Sequence, residues 1–241
     1  MNLLKREARL LAKSIVHGIG GAPSADVVIA PPFTSLSVVH DEIHGTGIGL
    51  AAQNVCWEPE GEFTGEISPG MLIDSGCEWV IVGHSERRKH FGETRDMVRR
   101  KLEVSLSSGL VPILCVGETM AEREDGRTEE VIRAQVESAL EGLEIAPPAG
   151  VVIAYEPVWA IGSGNTPSLR EIDFANGLIR DILKGIDVGR SEEIRLLYGG
   201  SVNENNIEEL LSAEIDGVLV GGASIRAGSF VEIIKASGVH Y

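Results

Sequence analysis

Two titratable residues follow apolar runs and carry the first hint of chemistry. His84 comes after "WVIVG" and Glu156 after "VVIAY". In a parallel β/α fold the working residues stand at the C-terminal ends of strands. A carboxylate fixed there, ahead of Pro157, can act as a general base once water is excluded. By position alone, a surface glutamate or a structural ion pair is the commoner explanation. His84 precedes "SERR", a helix start with Ser85 as N-cap and Glu86 in the first turn. The positive end of a helix disfavours imidazolium and keeps the ring able to donate a hydrogen bond to a carbonyl. Taken alone, a histidine bonded to nearby backbone is the more common case.

Glycine-bearing turns form a second group. Ser201 follows "LLYGG", and Gly221 with Gly222 follows "VLV". Each turn is a weak signal singly. Together, after the last strands of a barrel, they occupy the usual place for a phosphate, which backbone N–H groups can hold. The stretch "PVWAIGSGN" reads as a lid over Pro157, Val158, Trp159, Ala160, Ile161, Gly162, Ser163 and Gly164. Trp159 and Ile161 stiffen its front, and Gly162 and Gly164 supply a hinge. Other patterns carry less. "HDEIH" sets His40 and His44 four apart, but the zinc motif needs glutamate where Asp41 stands. "GTGIG" lies between a helix and a strand, the wrong order for a dinucleotide turn. Cys115 reads as core rather than nucleophile.

Seven short runs must position these residues: "DVVIAPP", "GIGLAAQ", "EWVIVGH", "LVPILCV", "GVVIAYE", "IRLLYGG" and "DGVLVGG". They are continuously apolar, as strands buried on both faces are. Amphipathic stretches separate them. Val131, Ile132, Val136, Ala139, Leu140 and Leu143 make one stripe; Leu169, Ile172, Phe174, Leu178, Ile179 and Ile182 make another. Pro167 and Ser168 start that second helix and Gly185 ends it. No linker or composition shift divides residues 1–241. The pattern predicts one α/β domain, a parallel β/α barrel, with an open doubly wound sheet as the other possibility. A closed barrel has eight strands, yet this chain opens directly on a helix, "MNLLKREARLLAKSIVHGIG".

Composition narrows the function classes. Apolar residues make up 43% of the 241, a globular share, and no apolar run is long enough to cross a bilayer. Lys5, Arg6, Glu7 and Arg9 interrupt any signal-peptide core. Cys56, Cys77 and Cys115 are odd in number and widely spaced, which fits a reducing cytoplasm and neither a zinc site nor a disulfide framework. A net charge of −15 argues against nucleic acid and anionic membrane as partners.

The stretches "VGHSERRKHFGE", "PILCVGET", "AYEPVWAIGSG", "YGGSV" and "DGVLVGGAS" resemble, in order, the signatures of the triosephosphate isomerase family. The resemblance runs from Met1 to the C-terminus. It implies a TIM (β/α)8-type barrel in the cytoplasm, at a step of glycolysis and gluconeogenesis. It also implies interconversion of dihydroxyacetone phosphate and glyceraldehyde 3-phosphate through an enediolate, with no metal or organic cofactor. By resemblance Glu156 is the base, His84 polarises the carbonyl and Glu86 supports the site. Gly162, Ser201, Gly221 and Gly222 match phosphate-binding positions. Family members are usually homodimers, and "EPEGEFTGEIS", with Thr64 near its tip, matches the loop that reaches into the partner.

One departure is large. The family's first strand ends in Asn-x-Lys-Met-Asn, and here Met1 and Asn2 match only the last two residues. The strand, its substrate-binding asparagine and its lysine are absent from these residues. Either Met1 is an internal methionine taken as the start, or the short chain is genuine; the intact remainder of the site favours the first. The resemblance then implies seven strands with a gap between "DVVIAPP" and "DGVLVGG", a weakened or altered homodimer, and severely impaired turnover. A smaller departure is Ser163 and Asn165, where the family commonly has Thr and Lys. The rival reading is a barrel that binds phosphate, or serves structure, without turnover. Barrel enzymes of tryptophan or histidine synthesis leave "HSERR" and "YEPVWAIG" unexplained.

Overall fold

The computed structural model describes residues 1–21, 23, 25–143, 150–161, 166–186 and 192–238. Seven parallel strands form one sheet in chain order: β1 (Val27–Ile29), β2 (Ile48–Ala52), β3 (Trp79–Val82), β4 (Val111–Val116), β5 (Val152–Tyr155), β6 (Arg195–Tyr198) and β7 (Gly217–Val218). Among the described residues ten α-helices accompany them: α1 (Lys5–Ile19), α2 (Leu36–Ile43), α3 (Pro69–Asp74), α4 (Ser85–Phe91), α5 (Arg95–Ser107), α6 (Met120–Glu124), α7 (Thr128–Leu140), α8 (Leu169–Ile186), α9 (Ile207–Leu210) and α10 (Ala227–Ser237). This is the α/β fold with seven parallel strands that the apolar runs predict.

The strands alternate between two environments. Ile81, Ile113, Cys115, Val152 and Ala154 point into the barrel interior with Leu197 and Leu219 packed against them. Their neighbours Val80, Val82, Leu114, Val116, Ile153 and Tyr155 face the helices. Both faces are therefore buried, which is why the runs are apolar without a gap. Register is continuous along the middle of the sheet, with Val82 beside Leu114, Val116 beside Tyr155 and Tyr155 beside Tyr198.

β1 and β7 are the two edges of the sheet, so the gap lies where the sequence puts it. Val28, Ile29, Val218, Leu219 and Val220 are only half-buried. Outside this seam the helical ring continues, because α1 packs against both α2 and α10. α1 buries Ala8, Ala12 and Ile15. The backbone N–H of Leu4 donates to Glu7 Oε2 at 2.7 Å at its start, and Gly20, at φ 73°, ends it in the left-handed conformation. Gly18 allows the close approach to α10: a Cβ there would lie 2.7 Å from Val231 Cγ2. At the other end of the strands Arg195 Nη1 and Asp26 Oδ2 pair at 2.7 Å, joining the start of β6 to the residue before β1.

Two expectations about α8 change. Phe174 is 59% exposed and lies off the buried stripe, which Ile172, Ala175, Ile179, Ile182 and Leu183 form instead. The helix also runs one residue past Gly185. No helix among the described residues is long and apolar enough to cross a membrane. The three cysteines are free and buried.

Candidate active site

The C-terminal ends of β3, β4 and β5 bring together residues far apart in sequence. His84 Nε2 lies 3.1 Å from Glu156 Oε1. The other carboxylate oxygen, Oε2, accepts from the Ser85 backbone N–H at 3.1 Å. His84 itself caps α4: its Nδ1 accepts from the Glu86 backbone N–H at 3.3 Å. The cap is thus the histidine and not Ser85, because only the residue before the first turn has a side chain that reaches the free N–H groups. With Nδ1 as acceptor, the ring proton sits on Nε2, the nitrogen that faces Glu156.

Glu156 is 3% exposed. Burial raises its pKa above the ordinary glutamate value; the nearby His84 and the Ser85 N–H oppose this without cancelling it. A raised carboxylate pKa makes a stronger base. Cys115 lies near the Glu156 carboxylate, and the two influence each other's titration. Burial first, and then the charge of Glu156, pushes that thiol well above its ordinary pKa, which suits a packed core residue rather than a nucleophile. Two glycines make room for the base. A Cβ on Gly199 would lie 3.0 Å from Glu156 Cγ, and one on Gly117 would lie 1.8 Å from the Glu156 carbonyl oxygen.

The loop before His84 is fixed by a buried charged network. The Gly83 N–H donates to Glu93 Oε1 at 3.2 Å, and the Gly83 carbonyl accepts from Arg88 Nε at 2.7 Å. Arg88 Nη2 also donates to the Cys115 carbonyl at 3.1 Å, tying the end of β3 to β4. Glu93 takes further bonds from Arg87 and Lys101, and Lys101 also donates to Asn54 Oδ1 at 2.7 Å. Gly83, at φ 73°, has little room for a side chain, since a Cβ would lie 2.8 Å from Arg88 Nη2.

After Glu156 the chain forms a short 3₁₀ turn over Val158–Ala160. Trp159 anchors it: its indole N–H donates to Glu118 Oε1 at 2.8 Å, beneath the Arg123 guanidinium 3.9 Å from the ring centroid. Tyr155 donates to the same carboxylate at 3.2 Å. Glu118 is fully buried, and burial raises its pKa against the bonds from Trp159 and Tyr155. Of the lid residues, Pro157, Trp159 and Ala160 are buried, Val158 is half-buried and Ile161 is exposed. Gly162, Ser163 and Gly164 lie outside the described residues.

The turn after β6 stands beside Glu156, as the Gly199 contact shows. Ser201, Gly221 and Gly222 are exposed. Nothing crowds Gly221 or Gly222 within 4 Å of where a Cβ would stand, which leaves open space beside their backbone. Gly200 must be glycine, because a Cβ would meet the buried Tyr198 hydroxyl at 2.1 Å. Glu86 is exposed, and its carboxylate pairs with no described residue. Thr64 is exposed in the segment between β2 and α3, which the Cys56 N–H closes by donating to the Ile67 carbonyl at 2.8 Å. No three potential metal ligands converge among the described residues, His40 and His44 included.

Sequence reading passed over Glu118, Gln135, Glu93 and Lys101. Glu118 was within reach, since it stands two residues past the end of β4, close to the place that Glu156 takes after β5. The others lie inside or just before helices, where nothing local separates them from surface residues.

A half-buried histidine set against a buried carboxylate at strand ends, with glycine turns after the last two strands, puts the candidate site where β/α-barrel enzymes carry theirs. The triosephosphate isomerase family model matches residues 1–237. The triosephosphate isomerase of Citrifermentans bemidjiense is 47% identical over 97% of this chain and 94% of its own length. That of Dictyoglomus thermophilum is 50% identical over 95% and 93%. A crystal structure of the triosephosphate isomerase from Bartonella henselae superposes with a TM-score of 0.88 at 35% identity, covering 98% of this chain and 94% of that one. The chain belongs to the triosephosphate isomerase family.

Proposed function

We propose that this chain interconverts dihydroxyacetone phosphate and glyceraldehyde 3-phosphate. The observation that carries the reading is the 3.1 Å approach of His84 Nε2 to a buried Glu156 carboxylate. The family is a standard example of this pairing, and both the family membership and the geometry support these roles. Glu156 removes the proton from the carbon beside the carbonyl. His84 donates its Nε2 proton as a hydrogen bond to the carbonyl oxygen, so negative charge builds on an oxygen that already has a donor. The proton on Glu156 returns to the neighbouring carbon, and His84 moves a proton between the two oxygens. The substrate phosphate sits against backbone N–H groups of Gly162, Ser201, Gly221 and Gly222. Closure of residues 157–164 excludes water, which would otherwise weaken every charge interaction in the site.

Residues 1–241 taken by themselves include no strand ending in Asn-x-Lys, and a polypeptide of these residues alone would meet the phosphate and the enediolate without that lysine. We infer that such a polypeptide turns over poorly while it keeps some phosphate binding. The chain forms a homodimer through the loop carrying Thr64, weakened by the seam beside β1, and works in the cytoplasm.

The test is a rate assay in both directions, beside a titration with a phosphorylated hydroxamate that mimics the enediolate. Low but measurable turnover that Glu156→Gln abolishes, with the analogue still bound, supports the reading. Analogue binding without any turnover, unchanged by Glu156→Gln, replaces it with a phosphate-binding barrel.

A further inference from the structure

Gly117 is the first residue beyond β4, so its N–H and C=O have left the strand ladder. Gln135, on the neighbouring face of α7, takes both. The Gly117 N–H donates to Gln135 Oε1 at 2.8 Å, and Gln135 Nε2 donates to the Gly117 carbonyl at 3.1 Å. A side-chain amide presents a donor and an acceptor in one plane without charge, which matches the two groups of a single backbone residue. These two bonds also fix the orientation of the amide.

Gly117 in turn supports the main chain of Glu156. The Glu156 N–H donates to the Val116 carbonyl at 2.7 Å, one residue before Gly117. The Glu156 carbonyl rests directly on Gly117, where even a Cβ would stand only 1.8 Å from that oxygen. One residue further on, the Glu118 carbonyl accepts from the Val158 N–H at 3.1 Å, and the Glu118 carboxylate holds Trp159. The path from α7 to the base therefore runs from the Gln135 side chain to the Gly117 backbone and from there to the Glu156 backbone, with Glu118 holding the root of the 157–161 segment.

We propose that Gln135 is a positioning residue for the base: by clamping Gly117 it sets where the Glu156 carboxylate stands against His84. The inference rests on the proposed isomerase reading for its purpose, but its geometry does not. Removing the clamp leaves two backbone groups beside the site without partners. The peptide turns to find others, and Glu156 moves with it. Misplacing a reacting group by a fraction of an ångström is enough to weaken catalysis and the binding of an enediolate mimic.

The test uses the whole chain with Gln135→Ala, Gln135→Glu and, as a control on the same helix, Ile132→Val. Ile132 is fully buried and its aliphatic side chain can form no hydrogen bond to Gly117 or Glu156, so its shortening is expected to cost stability alone. Two quantities are read besides melting temperature: the titration of Glu156 by carbon NMR of labelled glutamate, and affinity for the phosphorylated hydroxamate compared with inorganic phosphate. Gln135→Ala is expected to shift the Glu156 titration and to weaken the hydroxamate about tenfold, with inorganic phosphate nearly unchanged. Gln135→Glu keeps the acceptor and loses the donor, so it should fall between. Ile132→Val should move neither quantity. The proposal is overturned if Gln135→Ala lowers the melting temperature without moving the titration, or if Ile132→Val moves it equally. Should the parent chain bind no hydroxamate, the isomerase reading fails, and the Glu156 titration still decides whether Gln135 positions that carboxylate.

Discussion

The run β3 to β6 and the seam between β1 and β7 are built from the same kinds of residue and differ in order. Along β3–β6 each strand is paired on both edges and covered on both faces, and Val80, Leu114 and Ile153 have no exposed surface. This run carries His84, Glu118 and Glu156. At the seam, β1 and β7 are three and two residues long, and Val28, Ile29 and Val218 are half-exposed while Val27 is buried. The helical ring nonetheless closes over the seam through α1. Helices pack by side-chain contacts that tolerate adjustment, so α1 holds its place between α2 and α10. A strand needs a backbone partner at about 4.8 Å, and nothing outside the sheet can supply one. The contact between His84 and Glu156 is therefore formed on the complete side, and what β1 and β7 lack is edge pairing.

The strongest way to break this contrast is to supply a first strand ending in Asn-x-Lys, fused ahead of Met1. Backbone amides of β1 and β7 should gain protection from hydrogen exchange, and turnover should rise about a thousandfold or more, as expected for restoring a fixed cation in a closed site. The same extension with Lys changed to Ala should gain the protection and little of the turnover. Equal turnover for the two extensions would end the charge argument.

A smaller effect belongs to the buried network on the complete side. Lys101→Met removes one partner of Glu93 and should cost about 3–5 kcal/mol in urea unfolding, since it leaves a buried carboxylate underpaired. Burial pushes the Glu93 pKa up, but the bonds and charges of Lys101 and Arg87 outweigh it and hold the pKa below the ordinary value. Burial likewise holds Lys101 below the lysine range against the pull of Glu93. For Glu93 the folded-state pKa is the lower one. Its contribution is therefore complete above the unfolded carboxylate pKa and is lost as pH falls through the depressed value. The difference between parent and Lys101→Met should narrow over that acidic window; a constant gap from neutral pH downward would contradict it.

Packing should differ next. Leu114→Ala, on the complete side, should cost about 3 kcal/mol, and Val218→Ala, at the seam, about 1 kcal/mol or less, because a half-exposed site loses less burial and leaves no closed cavity. Similar costs would mean that the seam is as tightly packed as the rest.

The smallest effect is a gain. The folded-state pKa of Glu156 is raised, mainly by burial, so its ionised form costs stability once pH exceeds the unfolded value. Glu156→Gln should therefore raise the melting temperature at neutral pH. The gain should shrink as pH falls through the raised pKa and vanish below the ordinary carboxylate range. A gain that persists in acid would mean that Glu156 is not held ionised against its surroundings.

Most of the architecture was legible in the sequence because it rests on local pattern. Seven continuous apolar runs gave seven strands, and a chain opening on a helix gave the position of the seam. His84 and Glu156 were found because strand ends are readable and each follows one. What the sequence did not reveal depends on neighbours distant along the chain. Phe174 fits a 3.6-residue stripe as well as Ile172 does, yet it faces outward, because the stripe that counts is the one the sheet leaves room for. Ser85 has the composition of a cap, but the direction of the chain leaving β3 gives that place to His84. Gln135 is one polar residue on a helix until α7 packs beside the end of β4 and sets its amide against Gly117. Periodicity and propensity act over a few residues, so a sequence carries them in the open. Hydrogen bonds between elements depend on where two separate segments meet, and only the folded chain fixes that.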